Sequence, residues 1–193
     1  YYLHHDDRST PLDETVAAMG DIVAEGKARY WGFSNYRGWQ IAEMVRLCDE
    51  LGVVRPIIAQ PYYNAFKRTP EMEYLPACAQ YGIGVAPYSP LARGVLTGKY
   101  HKGGAIPAGT RLDKMDHLVA RFFNDETMDI VEALRDFADA RGRTLLELSF
   151  AWLASRDVIP SIIAGTSRPE QVEANVAAVE WQLTDDEVDE IDR

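Results

Sequence analysis

The side chains best suited to chemistry in this chain recur just after short apolar runs. His4 follows Tyr1-Tyr2-Leu3, Ser34 and Asn35 follow Ala28 to Phe33, Gln60 follows Pro56 to Ala59, Tyr88 and Ser89 follow Gly84 to Pro87, and Gly165 with Thr166 follows Val158 to Ala164. Ser, Asn and Gln together match what a planar carboxamide requires, since that group offers one acceptor and two donor hydrogens. A His can donate to an oxygen on which negative charge develops. Taken singly, the same residues also read as a satisfied polar His, a Ser-Asn turn or helix cap, and an aromatic packed at a strand end. A second signal is electrostatic: Tyr74 through Leu112 contains no Asp or Glu although the chain carries 30, and that window holds Arg93, Lys99, His101, Lys102 and Arg111. A cationic loop kept free of acids would suit an anion.

Elements must bring these positions together. Tyr1 to His4 reads as a strand, and Thr10-Pro11-Leu12-Asp13-Glu14 opens a helix with a capping Thr, Pro at the first helical position and acids in the first turn, ending at Gly26. Ala28 to Phe33 is the next strand. The stripe Trp39, Ile41, Ala42, Met44, Val45, Cys48, Leu51 predicts a helix closed by Gly52. Pro56 to Gln60 and Gly84 to Tyr88 read as strands on either side of a helix from Pro70 to Tyr81. A long Gly-rich connection to about Asn124 leads to helices at 126–141 and 145–155, a fifth strand Val158 to Ala164, and helices at 169–178 and 185–191.

This alternation with short connections implies parallel strands and right-handed crossovers. A (β/α)8 barrel fits better than a doubly wound sheet: no strand is followed by a Gly-rich dinucleotide or P-loop fingerprint, while the polar residues fall at the C-terminal ends of five strands. A complete barrel takes eight units and about 250 residues. Five units in 193 residues predict a chain that is part of a barrel, with three units missing on the N-terminal side.

Composition excludes several classes. With 47% hydrophobic and 26% charged residues, the chain can bury a core, and residues 1–193 read as a single domain. The net charge of −10 argues against general affinity for nucleic acid or anionic membrane, and no apolar run approaches a membrane span. Cys48 and Cys78 stand alone, without metal-ligand spacing, and read as buried thiols of a cytoplasmic protein.

The separated segments Gly26-Lys27-Ala28-Arg29-Tyr30-Trp31-Gly32-Phe33-Ser34-Asn35, Gln60-Pro61-Tyr62-Tyr63-Asn64 and Tyr88-Ser89-Pro90-Leu91-Ala92-Arg93-Gly94 resemble, in order and spacing, those of the aldo-keto reductases. The resemblance spans the chain from the fourth barrel strand onward and is nearest in motif to the branch that includes the potassium-channel β subunits. It implies a β/α barrel that binds NADPH in an extended form and passes a hydride to an aldehyde or ketone. Ser34, Asn35 and Gln60 then match the ligands of the nicotinamide carboxamide, and Tyr88 the aromatic stacked on its ring. In Tyr-Tyr-Leu-His-His-Asp-Asp, the residue matching the active-site His is His4, which polarises the substrate carbonyl. Strand alternation would send His4 and His5 to opposite faces.

The resemblance also assigns the cofactor's phosphates. The loop containing Ser89, Leu91, Arg93 and Gly94 corresponds to the one folding over the pyrophosphate, with Lys99 of Gly98-Lys99-Tyr100 and Arg111 of Pro107-Ala108-Gly109-Thr110-Arg111 supplying charge. Gly165, Thr166, Ser167 and Arg168 correspond to the adenosine 2'-phosphate site, and Gln171 and Asn175 to positions reaching the adenine. Gly165 and Gln171 replace the Lys and Arg of the best-known branch, so 2'-phosphate recognition rests on Thr166, Ser167 and Arg168. The family's proton-donating Tyr, with its Lys and Asp, has no counterpart here, which predicts a chain inactive by itself. Two other readings stay open: a nicotinamide-binding regulatory or sensor subunit, in which an oligomer is possible, and an unrelated barrel enzyme acting on a phosphorylated metabolite.

Overall fold

Short parallel strands alternate with helices through the first part of the chain, and helices alone follow. The structure is a computed structural model and describes residues 1–193. Contacts divide it into two units: Tyr1–Tyr63 with Lys67–Tyr88 and Asp157–Ile163, and Asn64–Phe66 with Ser89–Arg156 and Ala164–Arg193.

The first unit holds β1 (Tyr2–Leu3), α1 (Leu12–Ala24), β2 (Gly32–Ser34), α2 (Gly38–Leu51), β3 (Ile58–Gln60), α3 (Tyr74–Gln80) and β4 (Gly84–Val85). The four strands form one parallel sheet in the order β1-β2-β3-β4. Register aligns the strand ends, pairing Phe33 with Ala59 and Ser34 with Gln60, so that the polar residues closing β2 and β3 lie side by side. Gly32 is required by this close approach, because a Cβ there would lie 2.2 Å from the Ile58 carbonyl oxygen. Val16, Met19, Phe33, Ile41, Met44, Cys48, Ala59 and Val85 are buried. The buried Trp31 adds an indole N–H donated to the Val54 carbonyl at 2.8 Å.

Several elements depart from the sequence expectations for identifiable reasons. Thr10 does not cap α1: its hydroxyl donates to Asp7 Oδ2 at 2.7 Å, and Pro11 stands at the cap position itself. The helix expected over 70–81 is broken into a tight turn, Thr69–Glu71, and α3. Pro76 explains the break, since inside a continuous helix it would lack the N–H donated to residue 72 and clash with that carbonyl; restarting at Tyr74 puts Pro76 in a first turn. The expected fifth strand, Val158 to Ala164, does not form. Its pairing is limited to Val158 O accepting from Val85 N–H at 2.8 Å and a bridge between Tyr88 and Ile163, because Pro160 has no N–H to offer a ladder. In α2, Trp39 and Leu51 are exposed rather than part of the buried stripe; Gln40 is buried instead, donating to Asp6 and accepting from Arg37 N–H, both at 2.8 Å.

The second unit is helical: α4 (Asp116–Phe122), α5 (Asp125–Asp139), α6 (Leu145–Ala154), α7 (Pro169–Ala178) and α8 (Asp185–Asp192). Helix α4 lies in what the sequence reads as loop. Helix α6 is apolar nearly all round and most of it is buried, as its uninterrupted Leu, Phe, Ala and Trp content requires. Reciprocal capping boxes start α6 (Thr144 with Glu147) and α8 (Thr184 with Glu187), and the Asn124 side chain caps α5. Around them Val95, Leu96, Tyr100, Leu112, Val131, Leu145 and Leu148 form one core. The overall class is therefore α/β with a parallel sheet, and none of the helices is long and apolar enough to cross a membrane.

Candidate functional site

In the first unit, the strand register gathers His4, Ser34, Asn35, Gln60 and Tyr88 through a chain of hydrogen bonds. Ser34, buried at the end of β2, donates from Oγ to the Gln60 carbonyl at 2.6 Å. Asn35 Nδ2 donates to Ser34 Oγ at 2.8 Å and to the His4 carbonyl at 2.9 Å, while Tyr88 Oη donates to Asn35 Oδ1 at 3.3 Å. Asn35 sits at φ 62° to do so. Gln60, half-buried, ends β3 beside them, paired with Ser34 in the sheet register. Tyr62 stacks on the Tyr88 ring with centroids 5.3 Å apart. Its neighbour Tyr63 is buried, with its hydroxyl donated to Glu71 at 2.7 Å.

The expectation that His4 and His5 face opposite ways fails. Strand β1 ends at Leu3, so alternation no longer governs them, and both imidazoles are exposed with ring centroids 3.9 Å apart. His4 joins the site through its backbone carbonyl, and its ring is open to solvent.

In the second unit, Ser89, Leu91, Arg93, Gly94, Lys99, Arg111, Gly165, Thr166, Ser167, Gln171 and Asn175 line one cavity of about 350 Å³. All eleven are candidates the sequence singled out, and Pro90, Thr97, Leu146 and Ala174 complete the wall without having been among them. Arg168 lines an adjoining depression with Thr166, Ser167 and Pro169. No Asp or Glu lines the cavity, in a chain of net charge −10. The ion pairs of the structure engage Arg46, Arg55, Arg68, Arg135, Arg141, Arg143 and Arg156 with carboxylates, yet they include none of Arg93, Lys99, Arg111 and Arg168. Three unneutralised cations, Arg93, Lys99 and Arg111, around one acid-free cavity make a site for an anion with several negative charges, while the depression holding Arg168 also includes Glu173.

The loop that shapes this cavity is strained. The non-glycine residues with left-handed backbone in this chain are Asn35, in the first unit's hydrogen-bond chain, and Ser89, Ala92 and Arg93, in this loop. Such geometry costs on the order of 1 kcal/mol or more per residue and persists where the surroundings impose it. Here the buried Asn64 donates to the Ser89 carbonyl at 2.9 Å, and Ala92 N–H and Gly94 N–H bond back to Ser89 O and Leu91 O at 3.1 and 2.7 Å. Lys99 folds over the loop, with its Nζ 3.2 Å from where a Cβ on Gly94 would stand. The φ of 99° at Gly94 is what favours glycine there.

At the start of α7, Arg168 occupies the cap position without a side-chain cap bond, leaving that helix terminus electropositive. Gln171 has a role its sequence position did not reveal: its Oε1 accepts from Ser167 N–H at 2.8 Å and pins the turn that carries Thr166 to Arg168. Away from these sites, burial pushes the thiols of Cys48 and Cys78 up to about 11 and about 12, so both stay protonated, unreactive packing groups.

The aldo/keto reductase family model matches residues 1–193, and the chain belongs to that family. It is 43% identical over 93% of its length to a probable voltage-gated potassium channel subunit beta from Arabidopsis thaliana, covering 55% of that protein. A protein of the same description from Oryza sativa subsp. japonica is 40% identical over 99% of the chain, which spans 60% of it. An L-glyceraldehyde 3-phosphate reductase from Escherichia coli (strain K12) is 33% identical over 93% of the chain and is covered over 52% of its own length. The chain thus spans little more than half the length of these relatives.

Proposed function

We propose that this chain carries the NADPH-binding half of an aldo-keto reductase, and that the whole protein reduces an aldehyde or ketone to an alcohol. The observation that carries the reading is the acid-free cavity with its unpaired Arg93, Lys99 and Arg111, a charge arrangement suited to a pyrophosphate. Each unit, taken by itself, offers donors suited to one end of the cofactor. Thr166, Ser167, Arg168 and the terminus of α7 would take a 2'-phosphate, which favours NADPH over NADH, and Asn175 with Gln171 would reach the adenine. In the first unit, Gln60, Ser34 and Asn35 would hold the nicotinamide carboxamide, while Tyr88, backed by Tyr62, would offer a flat apolar surface to a ring.

Bound NADPH supplies the hydride. His4 would donate a hydrogen bond to the substrate carbonyl oxygen, where charge develops as the carbon is reduced. The proton donor of the family pattern has no match among these residues, so turnover is proposed for the whole protein and cofactor binding alone for this chain. The same reading takes residues 1–193 as one domain contributing strands four to eight of a (β/α)8 barrel, in a cytoplasmic protein. A second reading, a nicotinamide-binding regulatory subunit, is favoured by the channel-subunit descriptions of two relatives.

Titration of NADPH and NADH into the chain, followed by nicotinamide fluorescence, tests the cofactor assignment with Arg111→Ala and Arg168→Ala as controls. Saturable NADPH binding weakened by both changes supports it; a folded chain that ignores NADPH removes it. Carbonyl turnover by the whole protein separates the reductase from the regulatory subunit, which would hold a partner without turnover.

A further inference from the structure

Lys99 lies on a short segment that helix α5 grips along one face. Asp129, Glu132 and Arg135 recur every three residues on that helix, and each bonds to the segment Gly98–Lys102. Glu132 Oε1 accepts from Lys102 N–H at 3.0 Å, and the Lys102 ammonium pairs with Asp129. The strongest hold is Arg135. Its side chain is only 13% exposed, it pairs with Glu132, and it lies 2.9 Å from His101 Nδ1. Nη2 donates to the Tyr100 carbonyl at 2.6 Å and, more weakly, to the Gly98 carbonyl at 3.4 Å. These two carbonyls flank Lys99. Arg135 itself is absent from the cavity wall.

A largely buried guanidinium held by a carboxylate is rigid, and one that donates from Nη2 to the carbonyls on both sides of a flexible lysine fixes where that lysine leaves the backbone. Tyr100, fully buried against Phe123, completes the clamp on one side of Lys99, and glycine Gly98 at φ 85° supplies the bend on the other. We propose that Arg135 is a positioning residue for anion binding: through the carbonyls of Gly98 and Tyr100 it holds Lys99 over Gly94, so the site is charged and shaped before the cofactor arrives. Preorganisation of this kind lowers the ordering cost of binding. The inference rests on the NADPH reading above and adds to it a residue that never touches the ligand.

The test is a double-mutant cycle on NADPH affinity in the full 193-residue chain, using Arg135→Ala, Lys99→Ala and the pair, with adenosine 2'-phosphate as a second probe that ends short of the pyrophosphate. Arg135→Ala is expected to weaken NADPH about tenfold, as loss of one charge-assisted contact would. It should cost almost nothing further in the Lys99→Ala background and leave adenosine 2'-phosphate affinity unchanged. Without any ligand, amide hydrogen exchange over residues 98–102 should quicken while that of α6 stays as in wild type. Arg135→Lys, which keeps the charge but offers one donor direction instead of a fork, should fall between the two, and it carries the comparison if Arg135→Ala does not fold. Additive losses, an equal loss for adenosine 2'-phosphate, or wild-type NADPH affinity in both variants would overturn the inference alone. Failure of the wild-type chain to bind NADPH would overturn the proposed function and this inference with it.

Discussion

Lys99, Arg93 and Arg111 show how a residue's neighbours, more than its type, mark it for function. Arg46, Arg55, Arg141 and Arg143 are neutralised near the surface by carboxylates, and such exposed pairs contribute little to stability. The three cavity cations forgo even that, so their charge is available to a ligand. Lys99→Ala and Arg111→Ala are each expected to weaken NADPH about ten- to a hundredfold, the range for losing a charge-assisted hydrogen bond, with thermal stability near wild type. Isothermal titration beside a melting curve checks both halves, and a matched loss of Tm and affinity would show that the side chains support the fold instead. His4 should behave differently. His4→Ala is expected to leave NADPH affinity intact and lower kcat of the whole protein by about a hundredfold. An unchanged kcat would return His4 to the exposed, solvated histidine that its open imidazole also describes.

At the scale of elements, the helix starts carry a pH dependence. Glu147 in α6 and Glu187 in α8 are held below the usual carboxylate range first by the backbone N–H of Thr144 and of Thr184, with Arg143 and Arg141 adding to it. A carboxyl with a lowered native pKa stabilises fully above its unfolded value, near 4.5, and that contribution drains away as pH falls through the native one. Glu147→Gln should therefore reduce the acid-side fall of Tm relative to wild type, while Thr144→Ala should cost about 1 kcal/mol at neutral pH. Parallel Tm curves for Glu147→Gln and wild type down into acid would refute the assignment. The one cap expected from the sequence, Thr10, bonds Asp7 instead, while the local Thr-x-x-Glu pairs at 144–147 and 184–187 went unread. The misread elements failed where one residue overruled a pattern: Pro76 inside an apolar helical run, Pro160 inside a β-branched one. Helix α4 escaped notice because its apolar anchors, Leu118 and Phe122, are few and follow a Gly-rich stretch. Within the site, the family resemblance named most residues that line the cavity, but the grip of Arg135 on Gly98 and Tyr100 spans more than thirty positions and has no local signature.

For the whole molecule, the total and the local charge make opposite predictions, and salt distinguishes them. The chain carries a net charge of −10, which taken as a smooth sphere repels a polyanionic dinucleotide. Added salt would screen that repulsion and strengthen binding. The cavity wall contains cations and no acids, and at that short range its attraction outweighs that of any carboxylate more than a Debye length away, about 8 Å at physiological ionic strength. NADPH affinity should therefore fall as sodium chloride is raised, and the slope should flatten in Lys99→Ala and Arg111→Ala as each removes one contributor. NADH, lacking the 2'-phosphate, should show a shallower slope than NADPH, and Arg168→Ala should bring the two slopes together. Affinity that rises with salt would mean that the net charge dominates and that the cavity does not receive the phosphates.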